Sequence, residues 1–150
     1  MSLTRAALLG FLRSRRYAVE SSTHPNGTPQ SAIVGVAVSD EFEIVFDTLG
    51  SSRKGQNLRE RRDIAFVFGS LEGTDERTVQ CEGSADEPQG AERARLTELY
   101  FGVFPDGRER QTWPGLTYIR ATLRWVRYSD YNVDPPVILE WDAAALRALK

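Results

Sequence analysis

The sequence has one cysteine, Cys81, and one histidine, His24. A lone cysteine excludes an internal disulfide, and this pair leaves no zinc cluster to build. A nucleophile–histidine–acid arrangement would rest entirely on His24, beside a turn, so hydrolase chemistry is set aside. No apolar run approaches the ~20 residues that span a bilayer. No charged n-region precedes an apolar h-region, so no signal peptide is read and a cytoplasmic protein is expected. An excess of positive charge is missing too: 21 acids face 19 bases, a net charge of −2. That balance argues against a general nucleic-acid binder. Lysine itself is nearly absent. Of the 19 basic residues only Lys54 and Lys150 are lysines, leaving 17 arginines.

What is present fits one globular domain over residues 1–150. The length allows a real core, and 41% hydrophobic with 27% charged residues is ordinary. Residues 2–16 read as a helix capped by Ser2 or Thr4, with Leu8, Phe11 and Leu12 on one face. "RYAVESST" is extended, Pro25-Asn26-Gly27 signals a hairpin, and "QSAIVGVAVS" is a β-branched strand. After a turn at Asp40-Glu41, "FEIVFDT" alternates, with Phe42, Ile44 and Phe46 on one side. A short helix is expected over 53–61 with Leu58 as its apolar anchor, then a strand at "DIAFVFGS" and a polar loop at 71–76. In "RTVQCEGSA" Thr78, Gln80 and Glu82 share one face, and Val79 and Cys81 the other. A second helix follows Pro88 and Gly90 with Leu96, Leu99 and Tyr100 as its core stripe, and "PDGRERQTWPG" reads as a loop. The last long strand starts at Leu116, with Tyr118, Ala121, Leu123 and Trp125 as core candidates and a slip in alternation near Arg120. The tail begins extended at Pro135-Pro136 and ends in a short helix. Six strands with helical connections predict an α+β fold: a mainly β, six-stranded antiparallel barrel with flanking helices.

One stretch combines chemistry with local structure. In "T-x-x-S-S-R-K" at 48–54 a strand delivers Thr48, and Ser51 and Ser52 sit where the chain turns into a helix. Free N–H groups and the positive end of the helix dipole gather there. Arg53 can fork onto two phosphate oxygens, and Lys54 adds a compact point charge. On the pattern alone a capped surface helix with solvated basic side chains is the favoured reading, since such caps are common.

Residues 27–85 resemble pyridoxamine 5′-phosphate oxidase and its relatives, the FMN-binding split barrels. The matching blocks are "G-T-P" at 27–29, "D-E" at 40–41, "V-F-D-T-L-G-S-S-R-K" at 45–54 and "E-R-T-V-Q-C-E-G-S-A" at 76–85. The resemblance implies that Arg53 and Lys54 hold the FMN phosphate and that Thr48 contacts the cofactor, with Ser52 the matching serine and Ser51 its neighbour. It also implies that FMN runs along the strand at 32–37, contacted largely by main chain, at a homodimer interface, with a small-molecule substrate. Three departures stand out. Ala32 replaces an arginine on the cofactor phosphate, and Ala37 replaces a substrate-phosphate lysine. The family's flavin-contacting glutamine falls on Thr78, with Gln80 two residues along the same face. A flavoprotein oxidoreductase acting on another substrate is therefore expected, with FMN carrying the redox chemistry and no catalytic side chain required. A non-catalytic flavin-binding or stress-related module is the alternative, as is the same fold binding deazaflavin or haem. Trp125 is read as core or as a flavin-stacking residue, Trp113 as a lid or a loop anchor, and the polar-aromatic run 127–132 as pocket lining or a turn.

Overall fold

Thr4 opens the first helix: its Oγ1 accepts from the Ala7 N–H at 3.2 Å, and α1 runs Arg5–Ser14 with Leu8, Leu9, Phe11 and Leu12 buried. The computed structural model describes residues 2–70 and 72–150, so Leu71 of the polar loop read at 71–76 lies outside the described residues. After α1 come β1 (Tyr17–Thr23), β2 (Pro29–Gly35), β3 (Ala37–Val38) and β4 (Ile44–Leu49). Helix α2 (Arg53–Glu60) leads to β5 (Asp63–Phe68) and β6 (Arg77–Asp86). Helices α3 (Gly90–Val103) and α4 (Gly107–Arg110), strands β7 (Leu116–Asp130) and β8 (Val137–Asp142), and α5 (Ala143–Ala148) complete the chain. Among the described residues no helix is long and apolar enough to cross a membrane.

All pairings are antiparallel, in the order β2-β1-β5-β6-β7-β4-β3, with β8 added to β7. The fold is the mainly β split barrel the sequence implies, but among the described residues eight strand segments appear where six were expected. One of the two extra segments arises because the run "QSAIVGVAVS" is interrupted at Val36, whose N–H still bonds the Arg16 carbonyl at 2.9 Å in the register of β1 before the chain passes on to β4. Its first half then pairs with β1 and its second with β4, so one bent strand brings the two ends of the sheet together. The other extra segment is β8, drawn from a tail whose prolines hid its pairing with β7. The expected loop after α3 also contains the single turn of α4.

Two apolar layers result. Inside the curl lie Ile44, Phe46, Phe66, Phe68, Cys81 and Val126, closed by α1. Outside it, α3 places Leu96, Tyr100 and Phe101 over Ala37, Val45 and Tyr118. Phe42 is buried as expected, although it lies in the turn before β4 at φ 61° rather than within a strand.

The slip in β7 lies further along than Arg120. The register jumps between Glu82 and Gly83, which face Trp125 and Leu123, so Arg124 is the bulged residue. The bulge exchanges the faces: Val126 and Tyr128 go into the core, and Trp125 is left half-buried. Leu99 and Leu116 are likewise only partly buried, at the margin of the outer layer. Arg120 stays in register and pairs with Asp86 and Glu92 at 2.8 and 2.7 Å.

At the bulge the backbones of β6 and β7 nearly touch. A Cβ on Gly83 would sit 2.3 Å from the Thr122 carbonyl oxygen. Gly83→Ala is expected to destabilise the protein by about 2 kcal/mol or more, measured by urea unfolding. Gly10→Ala, on an exposed helix position with nothing within 4 Å, is expected to stabilise it by roughly 0.5–1 kcal/mol.

Candidate functional site

The end of β4 and the start of α2 form one hydrogen-bonded unit. Ser52 is the N-cap, its Oγ accepting from the Gly55 N–H at 3.1 Å. The same oxygen lies 2.9 Å from the Thr48 hydroxyl, which β4 holds buried. Gly55 lets the helix come this close, since a Cβ there would stand 2.9 Å from the Leu49 carbonyl oxygen. The helix ladder gives the Arg53 and Lys54 N–H groups no acceptor. Ser51 is exposed, and its carbonyl accepts from the Gln56 side chain at 3.3 Å.

This turn faces the edge strand β2. Arg53 and Lys54 line a cleft of about 260 Å³ with Glu20 and Ser22 of β1 and Gln30, Ser31 and Ala32 of β2. Deeper in α2, buried Asn57 donates to Ser22 Oγ at 3.1 Å and lies 2.9 Å from the Gln30 side chain. The other end of the Gln30 amide faces the Arg53 guanidinium, with Arg53 Nε 3.3 Å away. One polar chain thus fixes the helix against both strands of the first hairpin.

Glu20 is the residue sequence reasoning missed. It is 1% exposed, lies opposite Ala32 and Phe66 in the sheet, and its Oε1 has no hydrogen-bond partner among the described residues. Burial pushes its carboxyl up to about 7, against the opposing pull of the Lys54 charge and the Ser22 hydroxyl. The available signal was its position in "YAVESST": strand alternation puts Glu20 on the inward face with Ala18 and Ser22.

Thr78 and Gln80 lie elsewhere. They share the outer face of β6, as the alternation predicts, and Gln80 pairs with Val67. Thr78 lines a mostly apolar groove of about 240 Å³ with Tyr17, Val19, Ile33 and Val67. Ile33 is 74% exposed and Tyr17 59%. Within one chain, therefore, the basic cleft and the groove of Thr78 lie on opposite faces of the sheet and meet at the edge strand β2. Ala37 is buried under α3 and faces neither cleft.

The other candidates resolve simply. Cys81 is buried in the core, and burial pushes its thiol up to about 12, so it is no redox thiol. Trp113 stands exposed in its loop. Asp130 and Asn132 turn the chain, the Asn132 N–H donating to Asp130 Oδ1 at 2.9 Å.

The family model for pyridoxamine 5′-phosphate oxidase matches residues 4–130. No curated protein matches the chain. Among solved structures, a heme binding protein from Mycobacterium smegmatis superposes with a TM-score of 0.85 at 14% identity, over 99% of this chain and 62% of that one. This chain thus spans less than two thirds of that protein's length. A pyridoxamine 5′-phosphate oxidase-related, FMN binding protein from Nostoc punctiforme superposes at 0.69 with 13% identity, over 91% of this chain and 87% of that one. General Stress Protein 26 from Bacillus anthracis superposes at 0.68 with 18% identity, over 91% and 98%. At such identities these structures share the fold.

The Glu20 environment has a consequence for stability. Its folded-state midpoint near 7 lies above the ordinary 4.5. The stability tied to its protonation is fully present below about pH 4.5 and is lost as pH rises through about 7. Thermal unfolding should show the wild type losing stability relative to Glu20→Gln between about pH 5 and about pH 8. Parallel curves would mean that Glu20 is ionised in the fold throughout.

Proposed function

Because the chain belongs to the pyridoxamine 5′-phosphate oxidase family, we propose that it is an FMN-binding flavoprotein oxidoreductase acting on a substrate other than pyridoxamine phosphate. The observation that carries this reading is the convergence of Arg53, Lys54 and the N-terminus of α2 on one cleft beside an edge strand. Two fixed cations at a helix start suit a phosphate monoester, with Arg53 binding in a fork and Lys54 acting as a point charge. The residues fit the FMN phosphate, and orphaned Glu20 Oε1 is a group that a ligand in this cleft can engage when the carboxyl is protonated. The free edge of β2 offers main-chain groups to the rest of the cofactor.

Bound FMN supplies reversible electron or hydride transfer at its ring. The chain's part is to hold the phosphate, orient the ring and shape the substrate pocket. We assign the second wall of that pocket to another copy of this chain. Tyr17, Val19, Ile33 and Val67 form an exposed apolar face of the kind that proteins cover by association, and Thr78 and Gln80 adjoin it. A homodimer packed there brings this outer face to the flavin alongside β2. Ala37 stands where the resemblance puts a substrate-phosphate lysine and carries no charge, which sets the substrate apart from pyridoxamine phosphate, while Ala32 leaves the cofactor phosphate to Arg53 and Lys54. Haem is the weaker reading, because the cleft is lined by neither histidine nor cysteine, and His24 lies on the hairpin tip. Nothing in this reading requires a membrane, and we place the protein in the cytoplasm.

Arg53→Ala and Lys54→Ala should each weaken FMN binding by roughly ten- to a hundredfold. Riboflavin, which has no phosphate, should change by less than about threefold, as read by fluorescence titration. Equal losses for the two ligands would show that the pair does not hold phosphate. Anaerobic mixing of the loaded protein with reduced nicotinamide should bleach the flavin. No response to any donor would identify a binding module without turnover.

A further inference from the structure

Three charged groups line the cleft, and one of them has the wrong sign for a phosphate. Glu20 reaches it from β1, from a position that is 1% exposed, with Oε1 unpartnered. The groups that face it are few. Helix α2 presents Lys54 and Arg53; β2 presents the uncharged Gln30 and Ala32; β5 presents Phe66 opposite it; β1 itself adds Ala18 and Ser22. Beyond Phe66 the next inward residue across the sheet is Cys81, whose thiol stays protonated in the core. Ala32 is directly across from Glu20 in the β1–β2 register, so no cation from the edge strand meets the carboxylate.

Charge complementarity then depends on Glu20. When it is ionised, its carboxylate cancels one of the two cations, and a single net positive charge faces a phosphate monoester carrying close to two negative ones. The buried carboxylate and the phosphate would also repel each other in a partly dry cleft. When Glu20 is protonated, both cations act unopposed and the acid gains a hydrogen to donate.

We propose that Glu20 couples ligand entry to proton uptake: the phosphate monoester binds in the Arg53–Lys54 cleft together with one proton from solvent, which converts the Glu20 carboxylate to the acid. This rests on the flavin reading and adds to it a residue that selects the charge state of the site. The chain is thereby a pH-dependent phosphate binder near neutrality, with affinity lost as the medium turns alkaline. The position of Glu20 in free protein, near 7, puts that loss within the physiological range.

The test is FMN titration of the wild type and of Glu20→Gln at pH 6.0 and 8.5. With one proton required, wild-type affinity should fall by about thirtyfold relative to the variant across this interval. The FMN phosphate's own ionisation is common to both proteins and cancels in the ratio. A ratio that stays constant while both proteins bind FMN overturns the role of Glu20 alone. Absence of FMN binding in both proteins at both pH values overturns the flavin reading, and this inference with it. A second measurement needs no variant. In wild-type protein carrying ¹³C-labelled glutamate, the Glu20 carboxyl midpoint should rise when FMN is added. A midpoint that stays in place or falls overturns the proposal.

Discussion

Ser52 closes the first turn of α2 onto the end of β4, and both cations of the cleft take their position from that closure. One oxygen accepts from the Gly55 N–H and shares a hydrogen bond with Thr48, so strand end and helix start cannot separate without exposing both. Such a cap contributes about 1 kcal/mol by itself. Here it also sets direction. The next two residues, Arg53 and Lys54, are launched toward β1 and β2, while Leu58 goes to the core and Asn57 to the hairpin. Gly55 is part of the same constraint, since its missing side chain permits contact with the Leu49 and Gly50 carbonyls.

The site gains its character from what the surrounding strands leave out. An edge strand normally needs protection against unwanted pairing. Along β2 the chain instead has the small residues Ser31 and Ala32 beside the cleft and Ile33 on the outer face. Main-chain groups stay accessible, next to an exposed apolar surface. The same economy leaves Glu20 without a basic partner on β2. A carboxyl in that position is costly to ionise, and its charge is coupled directly to whatever anion the cleft receives.

Much of this was legible in the sequence, and particular residues show why. The run Phe46 to Arg62 announced a strand, a cap and a helix through local chemistry alone, and the structure keeps that order within one residue at the helix end. The opposite faces of Thr78 and Val79 followed from strand periodicity. Long-range pairing was harder. The alternation shows a slip in this strand but does not place it at Arg124, which depends on how β6 and β7 face each other where Gly83 comes close to Thr122. Trp125 was therefore assigned to the core in place of Val126. The break at Val36 is likewise non-local, since the chain there passes from pairing with β1 to pairing with β4. Glu20 was overlooked because a single glutamate in a polar strand reads as solvent-facing. Its burial depends on α2, more than thirty residues later in the chain.

The central claim is that this cleft holds the phosphate of FMN. The most direct measurement is mass spectrometry of the small molecule released when protein purified from cells is denatured. FMN is the expected species, and protein purified empty should take it up on titration. Release of haem or a deazaflavin, or an empty protein that does not bind FMN, would contradict it.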